Sequence, residues 1–315
     1  MAFFDMPLEA LREYRPPLTR RDDHATFWKT TLDAAADIPL NIELRPLDYP
    51  SGTFQVYEVR YDGWANARIV GTYVHPAGPG PFPGLAIYHG YSWRRPEVFD
   101  LLGWAAAGYA VMAVDVRGQG GQSSDGAAYP GGHAAGWMTM GILDPASYYY
   151  RGVYVDCVRA VEVLAAQPQV DPARIGVTGG SQGGGLALAV AALDARVRVA
   201  MAEIPFLCHF ERATTLVDTM PYAEIGRYCR HVPALTAQVF QTLSYFDVMN
   251  LADRIRCPTH VTVGLMDEIC PPSTIFAAYN YIAAAKEIFI SPFGVHETFP
   301  GVREAQLRWA ARHLD

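Results

Sequence analysis

A glycine-rich turn around one serine constrains this chain more than any other feature: residues 179–185 have the sequence Gly-Gly-Ser-Gln-Gly-Gly-Gly, with the serine at Ser181. The preceding residues 174–178 are rich in β-branched side chains and predict a strand, and the apolar residues 186–193 predict a helix. A strand, a sharp turn and a helix of this kind form a nucleophile elbow, which exposes the serine hydroxyl at the edge of a sheet. The alternative is a glycine-rich turn that allows tight packing and in which the serine has no catalytic role.

The composition limits the classes of protein to consider. The 315 residues are 50% hydrophobic, enough for one large core, and they predict a single domain over residues 1–315. The formal net charge is −7 and the basic residues are scattered, which predicts no nucleic-acid partner. No apolar run reaches about 18 residues, and the first residues lack a basic segment followed by an apolar one. We therefore expect a cytoplasmic protein with no membrane partner.

The cysteines predict neither disulfides nor a metal site. Their number is odd and no Cys-x-x-Cys or Cys/His spacing occurs, so we expect reduced thiols, no metal and no cofactor. The five are Cys157, Cys208, Cys229, Cys257 and Cys270. Cys270 lies close to Asp267 and is an alternative nucleophile, but it precedes Pro271 and has no elbow around it, which disfavours that interpretation.

Strand-like and helical segments alternate along most of the chain. The strand-like runs are 69–75, 85–89, 110–116, 175–178, 197–204, 259–263 and 288–290, and the helical patterns are 96–107, 152–166, 182–193, 273–284 and 302–313. Near-continuous apolar strands between helices predict an α/β fold with a mostly parallel, doubly wound sheet and helices on both faces. Residues 1–60 are expected to be an irregular extension with one helix at 27–36.

Two connections are far longer than the usual two to six or so residues of this architecture. They are residues 118–149 and residues 205–258. The second is rich in aromatic side chains and predicts a helical insertion before the strand that precedes the catalytic acid. It forms either additional core or a lid or subunit contact.

A serine nucleophile needs a histidine base, and that base needs a carboxylate to orient it. In this fold they follow in the order serine, acid, histidine. Five histidines follow Ser181: His209, His231, His260, His296 and His313. Because His296 lies between the last predicted strand and the last helix, we predict it as the base. His260 lies within a strand-like run of alternating residues and is interpreted as a core or edge residue. His209 and His231 belong to the insertion, and His313 lies on the last helix.

The acid is predicted at the carboxyl end of the strand over 259–263. Asp267 follows that strand in a short Gly-Leu-Met-Asp loop, next to the expected position of His296. Glu268 is the nearest competitor, and Glu203, at the end of the preceding strand, is the next.

Two N–H donors are required to stabilise the oxyanion, the negatively charged oxygen that forms when the serine attacks its substrate. One is predicted to be the backbone N–H of Gln182, directly after the nucleophile, and the other that of Tyr91, in the loop after the strand over 85–89. His89 ends that strand and is interpreted as a hydrogen-bonded structural residue.

With these residues placed, the chain resembles the acetyl xylan esterase and cephalosporin C deacetylase family, carbohydrate esterase family seven, among the α/β-hydrolases. The matching motifs are MAFFDMPLEALREYRPP at the start, RGQG at 117–120, GILDP at 141–145, GGSQGGG at 179–185, PFLCHF at 205–210, GLMD at 264–267 and HE at 296–297. The resemblance implies Ser181 as nucleophile, Asp267 as acid, His296 as base, and the Tyr91 and Gln182 N–H groups as oxyanion donors. It also implies a cytoplasmic, metal-free homohexamer, a trimer of dimers, that deacetylates small acetylated sugars, xylo-oligosaccharides and cephalosporin C.

The chain departs from the family pattern at residues 92–95, 123–136 and 298–300, which are expected to border the substrate mouth. The predicted substrate contacts are Tyr91, Trp93, Phe206 and Phe299. The predicted function is a serine esterase that forms an acyl-enzyme and removes acetyl groups. A carboxylesterase for other short or medium acyl chains is the alternative, and a non-catalytic hydrolase-like binding protein is a remote one.

Overall fold

A computed structural model describes residues 4–314 of the protein, and within them the chain forms a nine-stranded sheet. The strands are β1 (Glu43–Pro46), β2 (Phe54–Asp62), β3 (Arg68–Pro76), β4 (Phe82–Tyr88), β5 (Ala110–Val114), β6 (Val170–Gly180), β7 (Val197–Glu203), β8 (Thr259–Gly264) and β9 (Lys286–Ser291). Their order across the sheet is β1-β2-β3-β5-β4-β6-β7-β8-β9.

Eleven α-helices accompany the sheet in the same part of the chain. They are α1 (Leu8–Glu13), α2 (His24–Ala36), α3 (Val98–Ala106), α4 (Tyr149–Ala165), α5 (Gln182–Leu193), α6 (Phe210–Leu216), α7 (Tyr222–His231), α8 (Thr236–Leu243), α9 (Val248–Leu251), α10 (Pro272–Tyr281) and α11 (Val302–Leu314). No helix within residues 4–314 combines the length and the apolar character needed to span a membrane.

The sheet is mostly parallel, as predicted. β4 pairs in parallel with β5 and β6, and the parallel pairing continues through β7 and β8 to β9. Successive residues of a strand point to opposite faces. Leu85 packs in a cluster with Leu101 of α3 and Trp309 of α11, whereas Ala86 packs in a second cluster with Val161 of α4. Helices therefore cover both faces, which confirms the predicted fold class.

The prediction of an irregular first 60 residues is wrong. This segment contains α1, β1 and β2, and the two strands pair in an antiparallel arrangement that continues to β3. All four residues of β1 are exposed, so no apolar pattern marked that strand in the sequence. The predicted helix at 27–36 is present but begins earlier, at His24.

Residues 205–258 lie between β7 and β8 and contain the helices α6 to α9. The buried Asp247 ties the start of this segment to its end. Its Oδ1 accepts hydrogen bonds from the backbone N–H groups of His209 (2.7 Å) and Met249 (2.9 Å), and its Oδ2 accepts one from that of Phe210 (2.9 Å). Burial raises the pKa of the Asp247 carboxyl to about 7, against the effect of these three donors. These hydrogen bonds fix the start of α6 to the start of α9.

Candidate active site

Ser181 occupies a strained turn between β6 and α5. Its φ of 56° and ψ of −117° lie in a region that non-glycine residues rarely adopt. The turn is held by two backbone hydrogen bonds of 2.9 Å, from Ser181 N–H to Glu203 O and from Phe206 N–H to Ser181 O. A Cβ atom at Gly183 would collide with the carbonyl group of Tyr88, so only glycine allows the helix to approach β4 this closely. The local geometry is that of a nucleophile elbow.

The structure brings Ser181, His296 and Asp267 into one hydrogen-bonded chain. Nε2 of His296 lies 2.9 Å from Ser181 Oγ, and Nδ1 of His296 lies 2.8 Å from Asp267 Oδ2. Asp267 is fully buried. Because a carboxylate only accepts, the Asp267 contact places the imidazole proton on Nδ1 and leaves Nε2 free to accept the serine proton.

The Asp267 carboxylate is itself held in place by backbone donors. Its Oδ1 accepts hydrogen bonds of 2.8 Å from the N–H groups of Ile269 and Cys270, at the turn before α10. The competing acids make no hydrogen bond to His296. Glu203 accepts instead from Thr298 Oγ1 at 3.0 Å, and the backbone carbonyl of Glu268 accepts from Thr219.

The two predicted oxyanion donors lie at the start of α5 and in the loop after β4. Gln182 is the first residue of α5, where backbone N–H groups have no partner within the helix. Neither its N–H nor that of Tyr91 donates a backbone hydrogen bond within residues 4–314. The buried Gln182 side chain is fixed by Tyr150, whose hydroxyl donates to Oε1 at 2.9 Å, and by Gln119, whose Nε2 donates to the same oxygen at 2.9 Å. Both N–H groups are thus available to a substrate oxygen.

The Tyr91 side chain is anchored by residues that the sequence analysis missed. Its hydroxyl donates to Glu224 Oε1 at 2.7 Å and accepts from Trp137 N–H at 2.7 Å, and Glu224 Oε2 accepts from Met138 N–H at 3.0 Å. Burial raises the pKa of both the Tyr91 hydroxyl and the Glu224 carboxyl. The loop that carries the Tyr91 N–H is therefore tied to α7 and to the long connection after β5. No local motif marks Glu224, because its partners are distant in sequence.

We expect the Glu224→Gln variant to turn over p-nitrophenyl acetate about tenfold more slowly, with KM changed by less than about twofold. The reason is that a loosened Tyr91 displaces one of the two predicted oxyanion donors, and complete loss of a donor typically costs about 10²- to 10³-fold in kcat. Steady-state kinetics on Glu224→Gln, Tyr91→Phe and the double variant measure this. The double variant should lose no more activity than the worse single variant, and additive losses would contradict a shared role.

His89 is a structural residue, as predicted. Its Nε2 accepts the N–H of Val116 at 2.8 Å, so its Nδ1 carries the proton that is donated to Gly90 O at 2.7 Å. Burial lowers the pKa of His89, which keeps the ring neutral in this arrangement. The ring joins the end of β4 to the loop after β5.

Two of the predicted substrate contacts are wrong. Phe206 has no exposed surface and packs edge-on against Tyr222, with ring centroids 4.4 Å apart. Phe299 is 3% exposed and stacks on Phe289 at 6.3 Å. Phe206 belongs to the main hydrophobic core, and Phe299 belongs to a small cluster with Ile204 and Val302. Trp93, by contrast, is 72% exposed at the rim, and its contact with substrate stays a prediction.

The side chains of Asp267, Cys270 and His296 each offer a ligand atom within 4.8 Å of the others, a spacing that could hold a metal ion. Burial raises the pKa of the Cys270 thiol well above its usual range, which disfavours the thiolate that a metal would bind. Nδ1 of His296 is already engaged with Asp267. These side chains therefore fit a hydrogen-bonded serine–histidine–aspartate arrangement better than a metal centre.

A mostly parallel sheet flanked by helices, with a nucleophile elbow at the carboxyl end of a central strand, defines the class of α/β-hydrolases. Within that class, the sequence matches the acetyl xylan esterase (AXE1) family over residues 1–313, and the chain belongs to this family. It is therefore a carboxylic ester hydrolase.

Three relatives illustrate the similarity. An acetyl xylan esterase from Paenibacillus sp. R4 is 46% identical, with a TM-score of 0.96 over 98% of this chain and 100% of its own. Acetyl xylan esterase 1 from Thermoanaerobacterium sp. JW/SL YS485 is 38% identical, with a TM-score of 0.95 over 98% of this chain and 99% of its own. The acetyl esterase Axe7A of Xylanibacter ruminicola is 29% identical over 316 residues, which cover 96% of this chain and 70% of that protein.

Proposed function

We propose that this chain is a serine esterase that removes acetyl groups from small acetylated carbohydrates, including xylo-oligosaccharides, and from cephalosporin C. Ser181 is the nucleophile, His296 the base, Asp267 the acid, and the N–H groups of Tyr91 and Gln182 bind the oxyanion. One observation carries the proposal: Ser181, His296 and Asp267 are joined by hydrogen bonds of 2.9 and 2.8 Å at an elbow flanked by two free N–H groups. The names of the relatives support acetyl esters as the substrate.

The reaction is a two-step acyl transfer. Ser181 Oγ attacks the ester carbonyl carbon while His296 Nε2 takes the hydroxyl proton, and the developing oxyanion accepts hydrogen bonds from Tyr91 and Gln182. When the C–O bond to the sugar breaks, His296 returns that proton to the leaving alcohol. Water then attacks the acetyl-enzyme by the same route and releases acetate. Asp267 holds the imidazole and stabilises its charged form throughout.

The test is a comparison of acyl groups and leaving groups under identical conditions. Initial rates are measured on p-nitrophenyl acetate, butyrate and octanoate beside acetylated xylose and cephalosporin C, with Ser181→Ala as the control. Activity confined to acetyl esters and lost in the control supports the proposal. A preference for octanoate would indicate a carboxylesterase of longer acyl chains, and turnover that does not depend on Ser181 would overturn the assignment.

We further propose that residues 1–315 fold as one domain with a helical insertion at 205–258, and that the protein is a cytoplasmic homohexamer. We propose that it binds small ester substrates and has neither a nucleic-acid partner nor a membrane partner. Light scattering coupled to size exclusion tests the assembly, because a hexamer has six times the mass of the 34.6 kDa chain.

A further inference from the structure

The buried side chain of Gln119, in the loop after β5, is hydrogen-bonded to both segments that carry the predicted oxyanion donors. Its Oε1 accepts a hydrogen bond of 2.9 Å from the N–H of Ser92, the residue after Tyr91. Its Nε2 donates one of 2.9 Å to Oε1 of Gln182, and Gln182 Nε2 returns one of 3.2 Å to Gln119 Oε1. The side chains of Gln119 and Gln182 thus form a reciprocal amide pair, which connects the loop after β4 to the start of α5.

The orientation of the Gln119 amide is fixed by partners that can each play only one role. The hydroxyl of the buried Tyr149 donates to Arg117 O at 2.6 Å, so it accepts from Gln119 Nε2 at 3.1 Å. The backbone N–H of Ser92 can only donate, so it requires the amide oxygen. A rotation of the Gln119 amide by half a turn would therefore break both contacts and leave buried polar groups unpaired, which costs free energy.

The amide pair also holds the peptide groups on either side of Tyr91. His89 O accepts from Gln182 Nε2 at 3.3 Å, and the N–H of Ser92 is held by the other member of the pair. Between these two contacts lies the peptide group that contains the Tyr91 N–H. Its carbonyl oxygen, Gly90 O, accepts from His89 Nδ1 at 2.7 Å. Because a peptide group is planar and trans, this contact also sets the direction of the Tyr91 N–H.

The loop after β4 has a conformation that needs such support. Ser92 has a φ of 61°, in the left-handed region that non-glycine residues rarely adopt. Strained backbone of this kind persists when surrounding contacts hold it. Besides Gln119, the neighbouring Gly120 holds the loop, since its N–H donates to Trp93 O at 3.0 Å. A Cβ atom at Gly120 would lie 2.7 Å from Ser92 O, so the two loops pack in direct contact.

We propose that Gln119 is a positioning residue of the oxyanion hole, which sets the distance and angle between the Tyr91 and Gln182 N–H groups through the amide pair. The proposal rests on the esterase function proposed above and deepens it. Two donors stabilise one oxyanion only when both point to the same place, at about 2.7–3.1 Å from it. Glu224 holds the Tyr91 side chain alone, whereas Gln119 joins the backbone of one donor segment to the side chain of the other.

Two variants and one matched control test this role. Gln119→Met and Gln182→Met each remove one member of the amide pair and keep a side chain of similar length, and Gln182→Met retains its backbone N–H. Gln167→Met is the control, because Gln167 is also buried and its Nε2 donates to Val163 O at 2.6 Å, but it lies near the amino end of β6, opposite Ser181. Steady-state kinetics are measured on p-nitrophenyl acetate and on its thionoester, in which sulfur replaces the carbonyl oxygen.

For Gln119→Met we expect kcat on p-nitrophenyl acetate to fall about 30-fold with KM changed by less than about twofold, because complete loss of one donor typically costs about 10²- to 10³-fold. Sulfur accepts hydrogen bonds weakly, so turnover of the thionoester should fall less and the ratio of the two rates should decrease. The double variant Gln119→Met/Gln182→Met should lose no more than the worse single variant. Gln167→Met should keep the wild-type kcat and the wild-type ratio, even where its thermal midpoint falls.

Gln119→Glu tests the same contact in a side chain of unchanged length. The introduced carboxyl accepts from Ser92 N–H in either form, but it can donate to Gln182 only while it is protonated. The ratio of its kcat/KM to that of the wild type, measured from about pH 5 to about pH 9, should fall as pH rises, since burial raises the pKa of such a carboxyl above about 4.3. Dividing by the wild-type value removes the titration that both proteins share.

Four results would overturn the positioning role: an unchanged kcat in Gln119→Met, equal losses on the two esters, additive losses in the double variant, or a Gln119→Glu ratio that does not change with pH. In each of them the wild type still hydrolyses the ester through Ser181. Failure of the proposed function has a different signature, because the wild type itself would then lack turnover that depends on Ser181. If the wild type prefers octanoate, the comparison is made on that ester and its thionoester, since an oxyanion forms on any acyl group.

Discussion

The Ser181→Ala variant is expected to lose about 10⁴- to 10⁶-fold in kcat on p-nitrophenyl acetate, while its thermal unfolding stays close to that of the wild type. The hydroxyl is the only group that the substitution removes, and Ser181 Oγ is hydrogen-bonded to His296 Nε2 at 2.9 Å. Initial rates at high enzyme concentration measure the loss. Mass spectrometry after treatment with a fluorophosphonate should find one covalent adduct on the wild type and none on the variant.

A nearby thiol provides the matched control for this experiment. Cys270 contacts the same site and is the alternative nucleophile, but it is buried and burial raises its pKa, so the thiol stays protonated. Cys270→Ala keeps the backbone N–H that holds Asp267 and should retain most of the turnover. The double variant Ser181→Ala/His296→Ala should lose no more than Ser181→Ala alone, because these groups act as a unit. Greater loss in Cys270→Ala than in Ser181→Ala would assign the nucleophile to the thiol instead.

The positions of Ser181, Asp267 and His296 could be predicted because each is encoded locally. The elbow has its own pattern of glycines, and the other two residues follow strands that are apolar enough to recognise in sequence. Parallel strands end at one edge of the sheet, so chain order alone brings the three loops together. The parallel pairings from β4 to β9 follow from the same alternation of strands and helices.

The residues that support the site could not be predicted, because they depend on contacts between distant segments. Tyr91 and Glu224 are 133 positions apart, and neither residue type indicates the other. Phe206 and Phe299 are predicted from the sequence as substrate contacts, but whether such a ring faces a substrate or the core depends on how its loop folds. Their burial places them in the supporting core.

A buried ion pair illustrates how much stability these distant contacts contribute. Arg117 donates to Asp156 through Nε (2.6 Å) and Nη2 (2.7 Å), and both side chains are almost fully buried. Nη2 also donates to Trp64 O at 2.8 Å, and Asp156 Oδ1 accepts from Trp64 N–H at 2.8 Å. The pair thus joins the loop after β5 to α4 and to the short turn between β2 and β3. Arg117 supports the fold around the site without contact with the proposed triad.

The Arg117→Met variant is expected to lose about 3–5 kcal/mol of stability near neutral pH, because it leaves the Asp156 carboxylate buried without its partner. Burial already raises the pKa of Asp156 and Arg117 opposes that rise, so removing Arg117 raises the pKa further. A carboxyl with a raised pKa in the folded state destabilises the fold as pH rises above its unfolded value of about 4. The deficit relative to wild type should therefore be larger at about pH 8 than at about pH 5 in urea denaturation.

Two further variants complete this test. Arg308→Met removes an ion pair to Glu304 in which the side chains are 75% and 63% exposed, and it should cost less than about 1 kcal/mol at either pH. Arg117→Met/Asp156→Leu removes the two charges of this pair and leaves Asp125, whose Oδ1 lies 3.7 Å from Arg117 Nη1, without that cation. It should recover much of the loss, since well-packed apolar replacements of buried pairs are often neutral. Two results would contradict this explanation: a loss of stability in Arg117→Met that does not depend on pH, or no recovery of stability in the double variant. Either result would mean that Arg117 contributes through packing and its hydrogen bond to Trp64, and not by compensating the charge of Asp156.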